Sequence, residues 1–462
     1  MKPISILLLL SLGIVSHAAE PSTERIGIEN DYAKINADAE KASNIPLLPA
    51  AEISIRDGMP NLFGKLEKGG PVTIAYYGGS ITAGPGWRTR TLDWFRKTYP
   101  NAKIDELNAS LGGSGSLVGV FRADHDLVAP KPDAVFIEFS LNDVADVRDR
   151  PEEVAGALEG IVRKLRASRP DTDICLNYTL HSSAVDLLNQ GKFSASVSLH
   201  ETIAAHYGLP SIHMGVEAAR MAADGKLVFT APKTSDGKDA AGRLIFSNDG
   251  THPSEAGHLL NGQAAIRGLE ILRKQAAPKP HPMPPALSKI PWEKAKTLAA
   301  EGRAGFSGSW EKLTAADGPG CRRFGKRFYE WFPHLYRTGT PGASVTVRFR
   351  GTHVGIKGME GPDSGVASIR VDDQPVRKQT LFTVYSNAWV YVGSPLPALP
   401  MGDHTVTWTL LDEVPQKEKM LAVKKTDQDL RDHPEKYANN TLSVGQIIVL
   451  GDLIDENGKP LP

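Results

Sequence analysis

The stretch Val72-Thr73-Ile74-Ala75-Tyr76-Tyr77-Gly78-Gly79-Ser80-Ile81-Thr82-Ala83-Gly84 decides how this chain is read. A short apolar, β-branched run enters a Gly-Gly-Ser turn, and helix-type sequence follows from about Trp87 to Lys97. That order is a strand that ends in a tight turn and lifts one small hydroxyl clear of a sheet edge. A serine held there is a nucleophile if a base and an oxyanion site lie beside it. Without them it is a turn that only joins strand to helix, so the rest of the chain has to supply the partners.

Working outward, residues 71–275 alternate strand and helix signals. Strands are expected at Val72–Tyr77, Ala102–Asn108, Ala134–Phe139, Asp173–Tyr178 and Leu209–His213. Helices are expected at Trp87–Lys97, Gly119–Asp126, Glu152–Ser168 and Ser194–His206. Short, continuously apolar strands alternating with helices predict a parallel sheet covered on both faces, an α/β/α sandwich. Ligands then bind beyond the carboxyl ends of the strands, where Ser80 falls. Residues 276–300, proline-rich from Ala276 to Pro291, predict an extended, semi-stiff linker. Residues 301–462 predict an all-β sandwich, with strands at Ser344–Arg350, His353–Lys357, Ala367–Val371, Thr380–Tyr385, Ala388–Val392, His404–Leu411 and Ser443–Leu450. The charged stretch Gln416–Tyr437 reads as a solvated loop, with room for a short helix.

The bounds are consistent with two domains. The chain has 462 residues, more than one core normally serves, and 53 basic against 53 acidic side chains, so no nucleic-acid partner is expected. Lys2, the apolar run Ile4–Val15 and Ser16-His17-Ala18 form an export-signal pattern over residues 1–18, which implies a secreted or periplasmic protein. Residues 19–70 are an N-terminal extension with an amphipathic helix expected at Tyr32–Ala42. No second long apolar run follows, so no transmembrane segment is expected. Cys175 sits in a strand and Cys321 in the other domain, which argues against a disulfide; no Cys/His spacing suits a metal.

Beyond Ser80, three segments carry chemistry. Asn108-Ala109-Ser110-Leu111-Gly112-Gly113-Ser114-Gly115 follows the second strand, and its glycines let bare N–H groups approach a ligand. Phe136-Ile137-Glu138-Phe139-Ser140-Leu141-Asn142-Asp143 brings the Asn142 amide, a potential oxyanion donor, to the same edge. Asn248-Asp249-Gly250-Thr251-His252-Pro253 offers an imidazole and a carboxylate three residues apart. Together, Gly78–Thr82, Gly112–Gly115, Leu141–Asp143 and Asp249–Pro253 resemble the four blocks of the SGNH/GDSL hydrolase superfamily, in its order and with similar intervals.

The resemblance implies Ser80 as nucleophile, His252 as base and then acid, and Asp249 as the partner of the histidine. It implies oxyanion donors at the backbone N–H of Ser80, the backbone N–H of Gly113 and the side chain of Asn142, and no cofactor. Gly113 is preferred to Gly112 because it aligns with the last glycine of the family's second block. Two positions depart from the pattern: Gly79 stands where the family usually has Asp, and Ser140 where it usually has Gly. Neither supplies a proton or a donor, so the chemistry is unaffected, but a borrowed substrate assignment is weakened. Trp87 and Arg88 are candidates to border the pocket, and His258 a weaker one. Asp124-His125-Asp126 reads as solvated or capping, His200, His206 and His213 as structural, and Asp143 as a brace. Five of the seven tryptophans (Trp292, Trp310, Trp331, Trp389 and Trp408) fall in the linker and C-terminal part, where aromatic rings either stack on sugars or fill a core. The resulting expectation is an esterase that removes acyl groups, most simply acetyl, from a carbohydrate partner. A lipase or thioesterase, and a non-catalytic glycan-binding protein, remain the alternatives.

Overall fold

The computed structural model describes residues 38–39, 43–274, 277–322 and 325–462. The export-signal pattern and all but two residues of the helix expected at Tyr32–Ala42 lie outside them.

The first domain is built on strands β1 (Ile53–Ser54), β2 (Val72–Gly78), β3 (Ile104–Asn108), β4 (Ala134–Glu138), β5 (Asp173–Tyr178) and β6 (Ser211–His213). They lie in the order β1-β6-β5-β4-β2-β3, parallel except for β1 against β6. The chain turns to one side of β2 for β3 and to the other for β4. Crevices open at such a reversal, beyond the carboxyl ends of the strands.

Alternation along β2 explains the three layers. Ile74 and Tyr76 face one core, shared with helices α1 (Pro60–Glu67), α2 (Ser80–Ala83) and α3 (Trp87–Thr98). Ala75 and Tyr77 face the other, shared with α4 (Ser116–Ala123), α5 (Ser140–Asp149) and α6 (Pro151–Ser168). Strands β4 and β5 are buried along their whole length, as parallel strands covered on both faces must be. The sequence missed α5, which carries Asn142 one turn beyond the strand, and a two-stranded parallel sheet of β7 (Leu227–Thr230) and β8 (Leu244–Ser247) ahead of the Asp249 loop.

The C-terminal domain is antiparallel. Its centre is a 17-residue strand, Ser344–Glu360, paired with Gly402–Leu410 on one side and Gln446–Leu453 on the other. The sequence splits this strand in two at Gly351. In fact Gly351 stays in the ladder between Gly402 and Gly451, beside a bulge before His353. A Cβ on Gly351 would lie 2.2 Å from the Leu450 carbonyl oxygen, so glycine there serves close backbone approach. A three-stranded sheet (Glu311–Leu313, Leu335–Thr338 and Leu442–Val444) contributes Leu442 and Val444 to the same core.

Two further expectations are corrected. Thr380–Tyr385 is not a strand: pairing ends at Thr380, and Thr383–Ser386 is a turn. Residues 416–437 are not a solvated loop but two short helices and a turn, with Met420, Leu421 and Tyr437 packed on Phe382 and Val384. Trp292 and Trp408 are core residues, and Trp310, Trp331 and Trp389 are half-buried. Cys175 and Cys321 are not disulfide-bonded.

The proline-rich segment is extended but not free. Arg163 and Arg166 donate to the carbonyls of Pro284 and Pro282 at 3.0 and 2.6 Å. The Glu159 carboxylate accepts from Leu287 N and Ser288 N at 2.6 and 2.8 Å. The strap ends at Trp292, 1 % exposed, and continues into a core that also takes Ile448 and Leu450 from the C-terminal domain.

Candidate active site

Each strand end delivers one part of the site. Ser80 opens the short helix α2 directly after β2 and is partly exposed. Gly112 follows β3, and a Cβ built on it would lie 3.6 Å from Ser80 Cβ, which places the glycine loop beside the serine. Gly113 has φ of 74°, the left-handed region that favours glycine, and open space beside it. Asn142 sits in the first turn of α5, its Oδ1 2.0 Å from where a Cβ on Gly79 would stand. Among the described residues, Ser80 N–H, Gly113 N–H and the Asn142 side chain have no protein hydrogen-bond partner. Asp143 points the other way. It accepts from Ser116 N at 2.8 Å and Ser116 Oγ at 2.6 Å, with His200 Nε2 2.9 Å away, and so braces the glycine loop.

The Asp249–His252 loop leaves β8 and meets the serine across the edge. Ser80 Oγ is 2.8 Å from His252 Nε2, and His252 Nδ1 is 2.7 Å from Asp249 Oδ2. A carboxylate only accepts, so Nδ1 carries the proton and the Nε2 lone pair faces Ser80. Asp249 Oδ1 is held by the N–H groups of His252 (2.7 Å) and Thr251 (2.9 Å), leaving Oδ2 for the ring. Burial alone would raise the Asp249 carboxyl. The hydrogen bonds from the His252 ring and from these two N–H groups outweigh it and hold the group well below the usual carboxylate range. The Ser247 hydroxyl, 2.8 Å from the His252 carbonyl oxygen, pins the far end of the loop.

Trp87 and Arg88 do not border the site. Trp87 is fully buried and donates Nε1–H to Thr82 Oγ1 at 3.2 Å. Arg88 is buried too, donating Nε–H to the Thr82 carbonyl at 2.9 Å and pairing with Glu106. They support the serine turn from behind. His258 lies on helix α10, counted in chain order after α7 (Val185–Asn189), α8 (Ala195–Tyr207) and α9 (Val216–Ala223); α10 itself spans Glu255–Leu272. No group of three or more His, Cys, Asp or Glu among the described residues could hold a metal ion, and no helix there is long and apolar enough to cross a membrane. Sequence reasoning overlooked Glu138, although a lone acid inside the apolar run Ala134–Phe139 was the available signal.

The GDSL-like Lipase/Acylhydrolase family pattern matches residues 76–260. No curated protein sequence matches the chain. Among solved structures, a two-domain esterase active on acetylated mannans, co-crystallised with mannopentaose, is 21% identical over 88% of this chain and 97% of that chain, with a TM-score of 0.63. A second structure of a two-domain esterase active on acetylated mannans has the same identity and coverage and a TM-score of 0.62. At that identity the likeness concerns the fold, and it spans both domains. Residues 76–260 are therefore a domain of the GDSL-like lipase/acylhydrolase family, which makes this an SGNH/GDSL-type carboxylic ester hydrolase followed by a C-terminal β domain.

Proposed function

We propose that the chain is a serine esterase that removes acetyl groups from a carbohydrate polymer, with Ser80, His252 and Asp249 as its catalytic residues. The observation that carries this reading is the continuous chain of hydrogen bonds, 2.8 Å from Ser80 to His252 and 2.7 Å from His252 to Asp249, beside three unengaged donors. His252 Nε2 takes the Ser80 proton as Oγ attacks the ester carbonyl, and Asp249 stabilises the imidazolium that forms. The N–H groups of Ser80 and Gly113 and the Asn142 amide hold the oxyanion. His252 then protonates the departing sugar oxygen, leaving acetyl on Ser80. Water, losing its proton to Nε2, attacks that acyl group, and acetate leaves as Ser80 regains its proton.

Openness of the site supports a bulky alcohol and a small acyl group. The side chains of His252 and Asp249 are 50% and 56% exposed. A polysaccharide can lie across such a ledge, whereas a long acyl chain needs an enclosed apolar wall. Acetylated mannan, the substrate class of the similar two-domain esterase, heads the candidates. Export, suggested by Lys2 and Ile4–Val15, is part of the same proposal.

The test is acetate release by the purified protein from acetylated mannan, xylan and pectin, compared with hydrolysis of acetyl and octanoyl esters of one chromophore. Release from a glycan and an acetyl preference are expected, with Ser80→Ala inactive. Full activity of Ser80→Ala would sink the mechanism, and an octanoyl preference would sink the substrate class.

A further inference from the structure

Behind the serine turn lies a buried acid that the mechanism above does not use. Glu138, 1 % exposed, ends β4 with its carboxyl group between two threonines. Thr82 Oγ1 donates to Oε2 at 2.9 Å and Thr179 Oγ1 donates to Oε1 at 3.0 Å. Thr82 stands two residues after Ser80 in the same short helix, and its hydroxyl also accepts from Trp87 Nε1 at 3.2 Å. Thr179 follows β5 and leads to Ser182, whose N–H donates to the Gly250 carbonyl at 2.9 Å, between Asp249 and His252. The Glu138 main chain adds a third tie, accepting Gly79 N–H at 3.3 Å.

We propose that Glu138 is a positioning residue whose carboxyl group, joining Thr82 to Thr179, fixes the Ser80 turn in register with the loop that presents Asp249 and His252. The inference rests on the reading of Ser80 and His252 given above. The serine and the histidine come from segments 172 residues apart in sequence, and the Ser80–His252 bond is itself partly exposed, so its geometry needs an internal reference. Glu138 provides one, because each oxygen holds one of the two sides. A bridge meant only for stability would gain from being apolar: among the described residues no cation pairs with Glu138, and an unpaired buried acid is costly. Burial pushes the carboxyl up to about 7 against the pull of Thr82 and Thr179, and Asp143 adds to the rise. Small displacements of a nucleophile have large kinetic effects, so a modest loosening here should be read in turnover before it is read in binding.

The experiment compares wild type, Glu138→Gln, Thr179→Val and the double variant. Fluorophosphonate labelling of Ser80 gives both the rate of serine attack and the number of competent sites, and acetyl-ester hydrolysis gives kcat per competent site and KM. Each single variant is expected to lower the labelling rate and kcat by about tenfold with KM within about twofold, and the double variant to fall no further. Thr179→Val is nearly isosteric and keeps the test open should Glu138→Gln fold poorly. Unchanged labelling and kcat per site, even with a lowered Tm, would show a purely structural bridge and overturn the proposal. Wild type that labels at Ser80 but releases no acetate from any glycan would overturn the substrate reading alone, since the labelling rates still test Glu138.

Discussion

Gly79 is the position where this chain departs most visibly from the family it resembles, and the site geometry gives a physical reason. Its backbone is ordinary, with φ −82° and ψ −155°, so no strain demands glycine. What demands it is Asn142, whose Oδ1 lies 2.0 Å from the place a Cβ would take. A side chain at 79 must displace the Asn142 amide from the place it holds. On the proposed mechanism, Gly79→Ala should therefore behave like Asn142→Ala, each losing about a hundred- to a thousandfold in kcat, the cost of one oxyanion donor. Because both act through one group, the double variant should be no worse than either single one. The check is kcat per titrated serine with a melting curve for each protein. Additive losses would mean that Gly79 serves something other than Asn142. The two departures were visible as letters, but the steric link between 79 and 142 was not, because it depends on how β2 and β4 align.

At the scale of elements, helix α6 shows how the strap is seated. Gly156 and Gly160 form one face, and a Cβ on Gly156 would lie 2.3 Å from the Trp292 ring, one on Gly160 2.8 Å from Trp292 Cβ and main chain. In a free helix, alanine for glycine is stabilising by roughly 0.5–1 kcal/mol. Gly160→Ala should do the reverse here and destabilise by about 1–3 kcal/mol, the usual penalty of overpacking, while leaving kcat per site unchanged. Urea titration decides it: a midpoint at or above wild type would show that Trp292 does not depend on that face. The same contrast explains what could be read beforehand. The strands β2, β4 and β5 were legible because continuous apolar runs have one simple meaning. The strap was legible only as extended, since prolines set its φ angles but say nothing of the carbonyls that Arg163 and Arg166 collect. Gly351 resembled a turn because nothing local reveals glycines in both neighbouring strands. Met420 and Leu421 were hidden inside a charged stretch whose burial depends on Phe382, far away in sequence.

For the molecule as a whole, the two domains meet over groups that titrate. Lys357, from the long central strand of the C-terminal domain, is 7 % exposed and lies with its Nζ 5.1 Å from the centre of the Tyr391 ring. Across the boundary, Arg122 and Asp126 on the first domain pair with each other at 2.8 Å. Burial first and the Arg122 charge second lower Lys357 to about 8, with Asp126 only partly offsetting them. An unfolded lysine titrates near ~10.4, so between about 8 and ~10.4 the unfolded chain binds more protons than the folded one. Stability carried by Lys357 therefore rises with pH across that window, and at pH 7 its buried charge is a cost. Lys357→Met keeps the length and removes the charge. It should raise Tm at pH 7, with the advantage over wild type shrinking as pH rises from 8 towards 10. Because Trp292, Ile448 and Leu450 share a core with the first domain, the gain should appear as a shift of one cooperative transition and not of a separate β-domain step. Calorimetric scans of both proteins from pH 7 to 10 test both statements. Parallel pH curves would show that Lys357 is not the titrating group, and two resolved transitions would show that the shared core does not couple the domains.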